Sequence, residues 1–290
     1  MNEKLNKNGS EKKGENSSIF ISLINESRLM QRFIDILRIK SPSKSEKEIV
    51  DYLFDKFSKL GVSLSVDDAG KKLGGNTGNL TGYFKSINSQ EAYYPIFLCA
   101  HLDTVVLNGE VLPVIKDGRV INENSLCILG GDDKVAIAAI LEALEVIREN
   151  DIKTADLYLI FTVQEEIAVL GARHLDLDKI KAKYGFVFDG EGDIGDIFNE
   201  APYHNTFDIE ITGRPAHSGI EPEKGINSIK AAADAIAKLN PGRVDSRTTF
   251  NIAMINGGTA TNIVPEKTRV KAEARSLDVS ELEKVSDLII

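Results

Sequence analysis

His101 and Asp103 stand two residues apart at the end of an apolar run, Pro95-Ile-Phe-Leu-Cys-Ala-His-Leu-Asp-Thr104. Three acidic stations follow: Gly-Gly-Asp132-Asp133-Lys134, Thr-Val-Gln-Glu165-Glu166 and Phe-Val-Phe-Asp189-Gly. One imidazole gathered with several carboxylates is the donor set of a hydrolytic metal site, because Zn²⁺ takes His nitrogen and Asp/Glu oxygen. Each station has a plainer reading when taken singly. His-x-Asp can be a surface pair, Glu-Glu a solvated face, Asp132 a helix N-cap, and Lys134 one half of a local salt bridge. Those readings would all have to hold together and in this order, and a metal site is the simpler explanation.

The surrounding pattern shows how the stations could meet. Leu29, Phe33, Ile36 and Leu37 recur on one helical face, and Ser41-Pro42-Ser43 breaks that helix. Ser45 with Glu48 reads as a capping box for a second helix running to Leu60 and closed by Gly61. Strands are predicted over 62–66, 79–84, 157–163 and 185–188, with the His101 strand among them. A nearly all-round apolar helix follows Asp132, from Val135 to Ile147, as expected of a helix buried against a sheet. Strands alternating with helices indicate an α/β open sheet, in which ligands bind beyond the carboxyl ends of the strands. All the acidic stations fall there.

From about Asn199 the pattern changes to β-α-β-β-α. Strands are predicted over 206–212, 248–256 and 268–275, with helices over 226–239 and from Ser280. This is five-sixths of a ferredoxin-like split unit, lacking a last strand. The expected domains are a disordered tail over 1–26, a catalytic domain over 27–198 and a lid over 199–290.

At 290 residues, 42% hydrophobic and 27% charged, the chain can bury two ordinary globular cores. A net charge of -9 argues against nucleic acid or a membrane surface as partner, since both call for basic patches. No apolar run reaches the ~18 residues of a membrane span. Cys99 and Cys127 lack paired spacing, so reduced thiols, with Cys99 buried, and a cytoplasmic location are expected. The polar N-terminus has no secretory core.

These motifs, together with Ala216-His217-Ser-Gly219 and Thr261-Asn262-Ile-Val-Pro265, resemble those of the M20 metallopeptidases, in particular the peptidase T-like branch. The resemblance runs from Arg28 to Leu288. It implies an open mixed zinc-exopeptidase sheet with flanking helices, a lid that forms homodimers, and hydrolysis of short peptides with two Zn²⁺ per complete subunit. Co²⁺ and Mn²⁺ are alternatives to zinc. Carried over by residue, it makes His101 and Asp189 ligands of one zinc, Glu166 a ligand of the other, and Asp132 a bridge between them. Asp103 would orient His101, and Glu165 would be the general base. His217 would stabilise the substrate oxyanion, while Asn262 and Arg275 would hold the substrate backbone or carboxylate. The Asp132–Asp133 peptide is expected in cis. His174 and His204 match no ligand position.

Three departures accompany the resemblance. Where the family has a small-residue-plus-Gly turn after the Glu pair, this chain has Ile167-Ala-Val-Leu-Gly171, and the 121–129 stretch is less rich in glycine than the resemblance implies. The family also implies a last His ligand from a C-terminal segment, whereas no histidine follows His217 here. A chain truncated in this way is expected to bind its first zinc more tightly than its second and to turn over little by itself. The rival expectations are an amidohydrolase of N-acyl amino acids on the same scaffold, and an inactive remnant or binding protein.

Overall fold

The computed structural model describes residues 20–87, 93–190 and 192–290. Residues 1–19 of the expected tail lie outside the described residues, whereas 20–22 form a helical turn. The chain divides into two compact units, Met1–Glu191 and Gly192–Ile290.

The first unit opens with α1 (Glu26–Arg38), capped by the Asn25 side chain, and α2 (Lys47–Lys59). Then come β1 (Ser63–Val66), α3 (Ala69–Leu73), β2 (Leu80–Phe84) and β3 (Ile96–His101). A hairpin of β4 (Pro113–Lys116) and β5 (Arg119–Asn122) follows, then α4 (Lys134–Glu149), β6 (Leu157–Thr162) and β7 (Tyr184–Val187). The main sheet has the order β1-β2-β6-β3-β7. β1, β2 and β6 pair antiparallel, while β6, β3 and β7 run parallel. This is the open mixed sheet that the resemblance implies. The β4–β5 hairpin is an element the sequence reading passes over. Its Asp117-Gly118 turn, with φ of 51° and 73°, fits the Asp-Gly signature of a two-residue hairpin loop.

The core lies where helices cover the sheet. Ile137, Leu141 and Leu144 of α4 are buried in one cluster with Leu80, Leu159 and Phe161 of the strands. Ile49, Leu53 and Phe57 of α2 join it, and the Phe57 and Phe161 rings stack at 5.3 Å. Three local readings are corrected. Ser45 does not cap α2: Glu46 is the N-cap residue, it makes no side-chain cap bond, and its carboxylate is buried facing other partners. Lys134 makes no salt bridge among the described residues; it is buried, and its Nζ donates to the Ile39 carbonyl at 2.5 Å. Cys99 is half-buried, and Cys127 is the buried thiol.

The second unit contains β8 (Tyr203–Thr212), α5 (Ser228–Ile236), β9 (Gly242–Arg243), β10 (Thr248–Gly257), β11 (Lys267–Ser276) and α6 (Val279–Ile289). Its antiparallel sheet has the order β8-β11-β10-β9. Along β11, Thr268, Val270, Ala272, Ala274 and Ser276 are buried while Lys267, Arg269 and Lys271 face outward, the period of two that a half-covered sheet demands. Phe250, Ala272 and Ala274 pack with Leu282 and Val285 of α6. Among the described residues, no helix is long and apolar enough to cross a membrane.

Charge also ties α1 to α4. Buried Glu142 accepts from Arg28 Nε at 2.7 Å and Nη2 at 2.7 Å, from Arg32 Nη1 at 3.3 Å, and from the Asn25 N–H at 3.0 Å. Burial alone would raise this carboxyl, but the Arg28 hydrogen bonds, the Asn25 amide and the guanidinium charges outweigh it and hold the pKa below its ordinary value. A carboxyl depressed on folding contributes stability that is full above its unfolded pKa and is lost as pH falls through the folded one. Glu142→Gln is therefore expected to cost roughly 2–3 kcal/mol at neutral pH, approaching the loss from a broken buried ion pair. The deficit is expected to shrink as pH drops below about 4, as followed by urea denaturation at each pH. An equal deficit at pH 7 and in acid would contradict this role.

Candidate metal centre

Parallel strands bring the acidic stations to one edge. β3 lies between β6 and β7 and ends at His101, which registers with Thr162 of β6. The Gln164-Glu165-Glu166 turn leaves β6 at the same edge, and Asp189 follows β7, where the Phe188 N–H still bonds to the Cys99 carbonyl at 3.0 Å. Asp132 arrives from the turn before α4, and the Asp132–Asp133 peptide is cis, as the resemblance implies.

His101 is the shared member of the cluster. Its Nε2 lies 3.1 Å from Asp132 Oδ1, and its Nδ1 lies 2.8 Å from the Asp103 carbonyl and 3.6 Å from Asp103 Oδ1. Two groups of ligand atoms, each within 4.8 Å of one another, include it: His101 with Asp132 and Glu166, and His101 with Glu165 and Asp189. This division differs from the implied one, which joins His101, Asp132 and Asp189 and reserves Glu165 as base. His101 and Asp103 are buried, Glu165 and Glu166 half-buried, and Asp132 and Asp189 exposed.

Asp103 makes the most contacts in the site, and several lie beyond what the sequence reading foresaw. Oδ2 accepts from Ser43 Oγ at 2.6 Å and from the Glu166 N–H at 3.2 Å, and Oδ1 accepts from the Glu165 N–H at 2.8 Å. Ser43, Glu46, Asp133 and Gln164 were not among the predicted site residues. Buried Asp133 accepts the His101 N–H at 3.3 Å. The doubled acid at 132–133 was a visible signal for it; nothing local in the sequence marks Ser43 or Glu46.

Negative charge dominates this edge. Burial would lower the His101 pKa, but Asp103 and the neighbouring carboxylates outweigh it and push it up to about 10. Burial raises Asp133 to about 7. Burial, then repulsion among the carboxylates, also raises Glu165, Glu166 and Asp189 above the ordinary range. A crowd of half-desolvated carboxylates around one imidazole is relieved by a cation, and nitrogen with carboxylate oxygen suits Zn²⁺. The residues present therefore fit a divalent metal.

The other predicted residues lie in the second unit. His217 and Asn262 are neighbours there: His217 bridges to Ile263, and the Ser218 N–H donates to the Asn262 carbonyl at 3.0 Å. His217 Nδ1 accepts the Gly219 N–H at 3.2 Å, which leaves the ring proton on Nε2. Arg275 is not with them. It ends β11 opposite the Asn262 loop, roughly 26 Å along the strand from Lys267, and its Nη2 pairs with Glu273 at 3.3 Å. Glu273 also meets His204 at 3.3 Å, and His174 sits in a short 3-10 turn.

Known proteins share this architecture. Residues 202–290 match the M20 peptidase dimerisation domain, and 105–204 match the M42 glutamyl aminopeptidase family. The uncharacterised protein YqjE of Bacillus subtilis is 40% identical over 261 residues, covering 90% of this chain and 69% of YqjE. The crystal structure of aminopeptidase PepT from Bacillus cereus superposes with a TM-score of 0.84 at 38% identity, over 92% of this chain and 71% of that one. A tripeptidase from Staphylococcus aureus gives 0.85 at 34% identity, over 92% and 72%. The match to the dimerisation domain, with these identities and superpositions, places the chain in the peptidase T-like branch of the M20 metallopeptidases.

Proposed function

We propose that the chain is a dizinc exopeptidase hydrolysing short peptides, active as a homodimer through its lid. One observation supports this most: His101 belongs to both acidic groups that gather at the ends of three parallel strands. The similar proteins named aminopeptidase and tripeptidase agree with it, as does the match of 202–290 to a peptidase dimerisation domain.

His101, Asp132, Glu166 and Asp189 would hold the metals, Zn²⁺ by preference, with Co²⁺ or Mn²⁺ as alternatives. Such cations polarise a scissile carbonyl and acidify water. The Asp103 carbonyl accepts from His101 Nδ1 at 2.8 Å, with the Asp103 carboxylate 3.6 Å away, which would leave Nε2 for the metal. Glu165 takes a proton from the attacking water onto its carboxylate and passes it to the leaving amine nitrogen, the usual acid–base relay. Adjacent Glu165 and Glu166 can divide these duties because neighbouring side chains diverge from a turn. His217 offers an Nε2–H to a developing oxyanion, and Asn262 beside it can position a peptide backbone. Arg275, at the far end of β11 from them, would reach a substrate only by serving another subunit.

Two experiments test this reading in the protein as its organism makes it. Glu165→Gln is expected to keep its zinc and to lose roughly 10²–10⁴ in kcat on a tripeptide, whereas Glu166→Gln is expected to lose metal. Reversed behaviour would exchange the two roles, and hydrolysis of N-acyl amino acids in preference to tripeptides would favour the amidohydrolase. Asp103→Asn turns one acceptor into a donor facing the Glu165 or Glu166 N–H. It is expected to weaken zinc binding about 10–100-fold in chelator competition. Unchanged affinity would remove Asp103 from the site.

A further inference from the structure

Three consecutive backbone amides in the turn after β6 each donate to a buried carboxylate. Glu165 and Glu166 donate to Asp103, and the Gln164 N–H donates to Glu46 Oε1 at 3.0 Å. The same Glu46 oxygen accepts the Lys44 N–H at 2.9 Å. Glu46 and Asp103 are both fully buried at 0% exposure, so these bonds form without competition from water. Lys44 and Gln164 have φ of 77° and 55°, the left-handed region that costs a non-glycine residue about 1–2 kcal/mol. One oxygen thus holds two residues in strained conformations, one on each side of it. Further bonds brace both sides. The Asn76 N–H donates to the Lys44 carbonyl at 3.0 Å, and the Leu170 N–H donates to the Gln164 carbonyl at 3.0 Å.

From this geometry we infer that Glu46 is a positioning residue for the metal centre, forming with Asp103 a two-carboxylate clamp on the Gln164–Glu166 backbone. The inference rests on the reading of Glu165 and Glu166 as metal-site residues. Gln164 lies two residues past the end of β6, and its left-handed φ decides where the next two side chains go. Asp103 alone accepts from Glu165 and Glu166 but has no hold on Gln164. Glu46 supplies that hold from a segment far away in sequence, joining the α2 start to the site. Both bonds, from the Lys44 and Gln164 amides, go to its Oε1. Its task therefore needs one acceptor oxygen and no charge, and this separates the clamp from a structural ion.

The test compares Glu46→Ala and Glu46→Gln in the full chain by zinc competition against a chromophoric chelator and by amide hydrogen exchange. Glu46→Ala is expected to weaken zinc about 10–100-fold, the cost of losing an outer partner of a ligand. It is also expected to speed exchange of the Gln164–Glu166 amides while distant strands stay protected. Glu46→Gln keeps an acceptor oxygen and is expected to stay within about threefold of the parent in both readouts. Adding Gln164→Gly to Glu46→Ala is expected to recover part of the affinity, since glycine adopts the left-handed conformation without strain. Parental affinity and exchange in Glu46→Ala would overturn the clamp, as would a Gln variant as impaired as the Ala variant. If Glu46→Ala shows no thermal transition, Glu46→Asp, shorter by one methylene, takes its place with the same expectations. If the parent binds zinc no better than His101→Ala, the metal reading fails on its own, and hydrogen exchange decides the clamp.

Discussion

The buried carboxylate of Asp103 is the interaction on which the site depends. It lies 3.6 Å from the His101 ring nitrogen and accepts the Ser43 hydroxyl and the Glu165 and Glu166 amides. These groups come from the strand end, the α1–α2 connection and the turn after β6. A desolvated carboxylate is costly unless its oxygens are fully hydrogen-bonded. The need to satisfy it therefore draws the three segments together. Burial raises the Asp103 pKa, but His101, Ser43 and the two amides outweigh this and hold it below the ordinary value. It stays a charged acceptor at the heart of the edge.

Around that centre the fold accumulates more negative charge than it neutralises. His101 is the only imidazole facing Asp132, Asp133, Glu165, Glu166 and Asp189 among the described residues. Stability alone would favour apolar residues there, because desolvated like charges repel. Carboxylates retained at the carboxyl ends of parallel strands, where α/β sheets bind ligands, mark a site arranged for a cation rather than for the free protein.

The stations His101, Asp132, Glu165–Glu166 and Asp189 are legible in the sequence because each interrupts apolar flanks at a predicted strand or helix edge. The open α/β sheet and the split β-α-β-β-α unit are legible from periodicity and element order, while the mixed sheet and the lid are what the resemblance adds. What escapes is whatever depends on distant partners. Glu46 sits unremarked inside the Ser45–Glu48 capping pattern, and its partner Gln164 lies 118 residues away. Lys134 reads as one half of a local salt bridge, but its Nζ is captured by the carbonyl of Ile39, 95 residues earlier. Asp133 and Asp132 are indistinguishable as letters, and only tertiary packing buries the one and exposes the other. Arg275 illustrates the converse, since a motif match says nothing of the Glu273 beside it.

Anomalous diffraction at the zinc edge, from crystals grown with Zn²⁺, addresses the metal centre most directly. The expected result is density within ~2.0–2.2 Å of a His101 ring nitrogen and of carboxylate oxygens from the Asp132, Glu166 and Asp189 group. A zinc peak elsewhere with none beside His101, or a peak that leaves His101 uncoordinated, would contradict it.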